Sequence, residues 1–97
     1  MSQYVAIIED AGPDKAIGVW FPDLPGCFSG GDTLEQALAN APRAIALYAE
    51  SLEEEGRPLP QPRRLSVLKS DRTFLSDLKG NMVALISVPE PIPTAAE

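Results

Sequence analysis

The chain has 97 residues, 44% of them hydrophobic and 23% charged, with a formal net charge of −6. That length holds one folded domain, and the composition is that of a globular protein rather than a disordered one. The absence of histidine excludes Ser-His-Asp and Cys-His catalysis, histidine-based zinc sites and ordinary histidine acid–base chemistry.

Tyr4 to Glu9 is rich in β-branched and aromatic residues and predicts a strand, closed by the turn residues Asp10-Ala11-Gly12-Pro13-Asp14. Ala16 to Phe21 predicts a second strand, with Ile17, Val19 and Phe21 on one side and Trp20 on the other. The short connection favours an antiparallel hairpin. Pro22, Pro25 and Gly26 break the ladder, and Cys27 to Gly30 return as a short third strand.

A long helix follows. Asp32 is placed to cap it and Glu35 to complete a capping box, with Leu34, Ala37, Leu38, Ala41, Ile45, Tyr48 and Leu52 forming one apolar stripe. Gly56 and Pro58 end the helix. Pro42 lies inside it and forfeits one hydrogen bond, which predicts a kink or local irregularity.

Residues 59–64 form an extended, proline-rich connector, Ser66 to Lys69 a short second helix, and Asn81 to Val88 a final strand without charge. The result is an α+β fold, a small antiparallel-type sheet in the order β-β-β-α-β with one major helix on one face. Residues 1–88 are expected to be the domain and 89–97 a proline-rich C-terminal tail. The first and last strands are apolar on both faces, so either the short helix and connector cover the second face or another subunit does. A homodimer or larger assembly is the expected answer.

Residues 1–56 carry ten acids and two bases, for a net of −8, and residues 57–97 carry four acids and six bases. An acidic body repels phosphate, so this chain alone is not expected to bind nucleic acid. The same charge attracts a basic protein, or simply keeps the surface solvated. Apolar runs are far shorter than the ~20 residues of a membrane span, no signal peptide is visible at Met1 to Tyr4, and Cys27 has no mate for an internal disulfide. A cytoplasmic location is expected.

No catalytic, cofactor-binding or metal-binding residue emerges, and no cofactor is expected. Glu9, Asp10, Asp23 and Asp32 lie near strand ends, where a metal site would need them to converge, but each has an ordinary reading as a turn or cap residue. Cys27 has no neighbouring cation to activate it and reads as a core residue. Gly30-Gly31 before the helix resembles an anion site only weakly, since Asp32 places its own charge there. Arg57, Arg63 and Arg64 read as a docking patch or, more simply, a solvated linker. Glu50, Glu53, Glu54 and Glu55 read as solvation of the helix end or as contacts for a basic partner.

The stretch Phe21-Pro22-Asp23-Leu24-Pro25-Gly26-Cys27-Phe28, followed by Gly31-Asp32-Thr33-Leu34-Glu35-Gln36-Ala37-Leu38-Ala39-Asn40-Ala41, resembles the core signature of the HicB-like antitoxins. Tyr48, Ser51-Leu52, Glu54 and the run from Gly56 to Pro62 are similar to the family as well. The resemblance covers roughly residues 3–62 and extends through the last strand to Val88. It implies a partial RNase H-like fold without a nuclease site. The partner it implies is a small basic HicA-like ribonuclease toxin of double-stranded-RNA-binding fold, whose catalytic histidine the antitoxin covers. Such complexes usually repress their own promoter through a C-terminal helix-turn-helix or ribbon-helix-helix segment. Only Thr94-Ala95-Ala96-Glu97 follow Pro93, so no DNA-binding module is expected in this chain. The residues that contact the partner are not assigned by the resemblance. Two other readings stand beside it: a solitary regulatory or ligand-sensing module of the same fold, and a metal nuclease built on Asp10, Asp23 and Asp32.

Overall fold

The apolar, β-branched start of the chain forms β1 (Ser2–Glu9), which pairs antiparallel with β2 (Ile17–Trp20) in the computed structural model, where residues 2–89 are described. β3 (Phe28–Gly31) runs back along β2, with Trp20 opposite Phe28. Then come α1 (Leu34–Glu54), α2 (Leu65–Leu68), α3 (Arg72–Leu78) and β4 (Met82–Val88). β4 pairs antiparallel with β1 on the outside, giving one sheet of order β3-β2-β1-β4. The expected β-β-β-α-β order holds, with α3 as an element the sequence reading did not include. Residues 90–97, most of the expected tail, lie outside the described residues.

Alternation along the strands sorts their side chains into two cores. On one face Tyr4, Ala6, Ile8, Val19, Ile86 and Val88 pack against Ala37, Ala41 and Ile45 of α1. On the other, Val5 and Ile7 pack against Leu68 of α2 and Phe74 of α3, flanked by half-buried Trp20, Leu65, Leu78 and Val83. Leu68 and Phe74 are buried, and full burial of such side chains contributes roughly 1.5–3 kcal/mol each. The second face is therefore roofed by this chain itself, through two short helices. The connector contributes to the opposite face: Leu59 packs on the α1 core and the Tyr4 hydroxyl donates to the Pro60 carbonyl at 2.7 Å.

The start of α1 differs from expectation by one residue. Thr33, not Asp32, is the cap: its Oγ1 accepts from the Gln36 amide at 3.1 Å, and the Gln36 side-chain carbonyl accepts from the Asp32 amide at 3.0 Å. Thr-x-x-Gln thus gives a variant of the capping box in place of Asp-x-x-Glu, with Gln36 reaching the amide one residue before the cap. Gly31 permits this approach, since a Cβ there would lie 2.7 Å from the Ala37 nitrogen and from the Gln36 Cβ. Of the predicted stripe, Ala37, Ala41, Ile45 and Leu52 are buried and Leu38 and Tyr48 half-buried, whereas Leu34, in the first turn, is exposed.

α1 is a single element through Pro42. It ends in a left-handed Gly56 (φ 68°), where Gly56 N–H donates to Glu53 and Arg57 N–H to Leu52. These two bonds satisfy carbonyls that the helix would otherwise leave open.

Candidate protein-binding surface

The described residues hold no group of three or more His, Cys, Asp or Glu side chains that could bind a metal. The four acids near strand ends are separated into local roles. Asp10 Oδ1 accepts from the Gly12 amide at 3.2 Å within its turn, Glu9 ends β1, and Asp32 precedes the α1 cap. Asp23 is committed elsewhere. Its carboxylate accepts from Arg63 Nε at 2.6 Å and from the Arg63 amide at 2.7 Å.

Arg63 is thus not a solvated linker residue. It also reaches Asp71 at 3.2 Å, tying the β2–β3 loop and the connector to the start of α3. Its hydrogen bond to Asp23, with the added bond to Asp71, holds its guanidinium even more firmly charged than usual. Asp71 is held below the ordinary carboxylate range, first by the amide of Phe74 and then by Arg63. Both interactions favour the charged form.

Cys27 is buried, with its thiol 3.6 Å from the Ala44 carbonyl. Burial pushes its pKa up to about 11, so at neutral pH it is an unreactive thiol. The expected core role is what the packing gives. The glycine pair before α1 serves packing too: a Cβ at Gly30 would lie 2.8 Å from the Ile17 carbonyl oxygen.

Two surface features remain. Between β3 and α1 lies a shallow cleft of about 270 Å³ lined by Gly26, Cys27, Phe28, Ala44, Leu47 and Tyr48. Phe28 is 70% exposed and Leu47 50%, while the Tyr48 hydroxyl is fixed by donating to the Pro25 carbonyl at 2.8 Å. Glu50 and Glu54 stand three and seven residues beyond Leu47 on α1, which brings them to the same side of the helix. An apolar centre with an acidic margin is what this side of the molecule offers. The sequence reading missed Phe28 and Leu47 as surface residues; Leu47 falls outside the predicted stripe, and that was the available signal.

A second cleft of about 510 Å³, on the α2 side of the sheet, is lined by Ser2, Gln3, Arg63, Arg64, Leu65 and Leu85 together with Gln61 and Pro62. Leu85 is 52% exposed beside it. No helix among the described residues is long and apolar enough to cross a membrane.

A four-stranded antiparallel sheet with one long helix on its first face and two short helices on its second defines a small two-faced α+β domain. The sequence profile described as HicB-like antitoxin of bacterial toxin-antitoxin systems matches residues 4–93, and the chain belongs to this family. The structure is similar to the HicB antitoxin of Burkholderia pseudomallei, with a TM-score of 0.76 and 25% identity over 98% of this chain and 69% of that one. It is similar also to a chain of the HicA3–HicB3 toxin–antitoxin complex, with a TM-score of 0.72 and 27% identity over 90% of this chain and 98% of the other. Among curated sequences, a 14.9 kDa protein of Haemophilus phage HP1, from the rep-hol intergenic region, is 41% identical over 58 residues. That match covers 60% of this chain and spans only 42% of the phage protein.

Proposed function

We propose that this chain is an antitoxin that binds a small basic HicA-like ribonuclease toxin and holds it inactive, with no catalysis of its own. The observation that carries the reading is the exposed apolar pair Phe28 and Leu47 beside an acidic helix, in a chain of this family. Apolar side chains at the centre of a patch supply binding energy, and surrounding charge of opposite sign speeds encounter with the partner. The membership of a similar chain in a HicA3–HicB3 complex supports the same assignment.

In this reading the antitoxin domain is residues 1–88, residues 89–97 are a tail, and the pair acts in the cytoplasm. The chain associates with itself, and its acidic excess disfavours binding of nucleic acid without help from another segment or protein. Any control of transcription belongs to the assembled complex.

Co-expression of the chain with a HicA-like toxin provides the test. The toxin alone arrests growth and degrades RNA; with the antitoxin present, growth resumes and the two proteins co-purify. Continued arrest, with the antitoxin folded and abundant, would contradict the assignment.

A further inference from the structure

The two short helices that roof the second face carry an outer side that the binding of a basic toxin does not use. α2 is bracketed by Arg64, its N-cap residue, and Lys69, its C-cap residue, while α3 opens with Arg72 and is followed by Lys79 at its C-cap. All four bases are exposed, and none has an ion pair among the described residues. Each helix also shows one exposed aliphatic side chain, Val67 at 54% and Leu75 at 46%. On α3, Arg72, Leu75 and Lys79 stand at spacings of three and four, which sets them on one side of the helix. Phe74 and Leu78, four apart, turn instead into the core below.

The fold itself does not call for this arrangement. Leu68 and Phe74 already fill the space over Val5 and Ile7, so Val67 and Leu75 add little burial there. Arg64 and Arg72 lie at helix N-termini, where the backbone dipole disfavours a positive charge. The sign is also opposite to that of the first face. Residues 64–79 hold four bases and two acids, and one of those acids, Asp71, is already paired with Arg63; Leu34–Glu54 holds four acids and one base.

We propose that the outer side of α2 and α3 is a second docking surface, which takes an acidic amphipathic segment of another protein. Carboxylates of that segment pair with Arg64, Lys69, Arg72 and Lys79, and its apolar side chains cover Val67 and Leu75. Charge complementarity selects the sign of the partner. The aliphatic pair selects a protein over a nucleic acid, since a phosphate backbone leaves Val67 and Leu75 uncovered and meets a chain of net charge −6. The sheet lies between this surface and α1, so one domain holds a basic partner on one face and an acidic partner on the other. The docking stands whether or not the α1 side binds a toxin.

The probe is a capped, fluorescent helical peptide with leucines at i, i+3 and i+7 flanked by glutamates. It is titrated with the full chain and read by anisotropy, and amide shifts measured by NMR locate its site. The expected result is saturable binding that weakens with salt, with shifts confined to α2 and α3. The double variant Arg72→Glu, Lys79→Glu is expected to bind at least about tenfold more weakly. Leu75→Gln also weakens binding, while Phe28→Asp on the other face leaves it unchanged. These side chains are exposed, and circular dichroism checks that each variant is folded. No saturation up to about 1 mM of the chain, or equal binding by the double variant, would overturn the proposal. Equal binding of a peptide with glutamine in place of each leucine, or of duplex DNA, would overturn it in favour of a general anion surface. A fall in the chain's own mass by light scattering in the double variant would overturn it in favour of a contact between copies.

Discussion

Arg63 donates twice to Asp23, from Nε at 2.6 Å and from its own backbone amide at 2.7 Å. The Asp23 side chain is only 7% exposed, so the bridge closes the β2–β3 loop against the connector where α1 gives way to α2. The pairing fixes the path by which the chain crosses from one face of the sheet to the other.

Truncating either partner is predicted to destabilise the fold. Asp23→Ala leaves the Arg63 amide without its acceptor and is expected to cost about 1–3 kcal/mol. Arg63→Ala keeps the backbone bond but leaves the nearly buried Asp23 carboxylate without its counter-charge, for a comparable loss of about 1–3 kcal/mol. Urea unfolding of the two variants measures both losses, and a loss below about 0.5 kcal/mol in each would contradict a structural role for the bridge.

Asp71 gives a pH dependence of known sign. Its folded-state pKa lies below the ordinary value, through the Phe74 amide first and Arg63 second. The stability it contributes is present above the unfolded pKa of about 3.9 and is lost as pH falls through the lower folded value. The melting temperature should drop on acidification below about pH 4, and drop less steeply in Asp71→Asn, which keeps a cap but cannot titrate.

The cap of α1 separates two neighbouring residues. Thr33→Ala is predicted to lose about 1 kcal/mol, while Asp32→Ala, whose side chain does not cap the helix, should change stability little. Chemical denaturation of both variants decides between Thr33 and Asp32 as the start of the helix.

Phe74 tests the roof over the second face. It is 2% exposed and packs with Leu68 on Val5 and Ile7, so Phe74→Ala should cost about 3–5 kcal/mol. A loss below about 1 kcal/mol, read from the same unfolding curves, would mean that α3 does not seal the sheet.

Strand order and the long helix were legible because alternation and the three-four spacing run through them without competing signals. α3 escaped since it is only about two turns long, although Asp71 ahead of Phe74 and Leu78 is a cap-and-stripe pattern. The role of Arg63 was not legible: its partner Asp23 is 40 residues away, and only the fold brings them together. The α1 cap was misplaced by one residue because two overlapping patterns, Asp-x-x-Glu and Thr-x-x-Gln, compete at the same site. Phe28 and Leu47 lie on separate elements, and nothing local to either one reveals that they form a common patch.

The most direct test of the central claim is calorimetric titration of a HicA-like toxin with the wild-type chain and with Phe28→Asp and Leu47→Glu. Both side chains are exposed, so the variants should fold normally. Saturable binding by the wild type, weakened at high salt, is expected, with at least about tenfold weaker binding by each variant, equivalent to roughly 1.4 kcal/mol or more. Unchanged affinity in both folded variants would place the toxin elsewhere, and absence of binding by the wild type would contradict the antitoxin assignment itself.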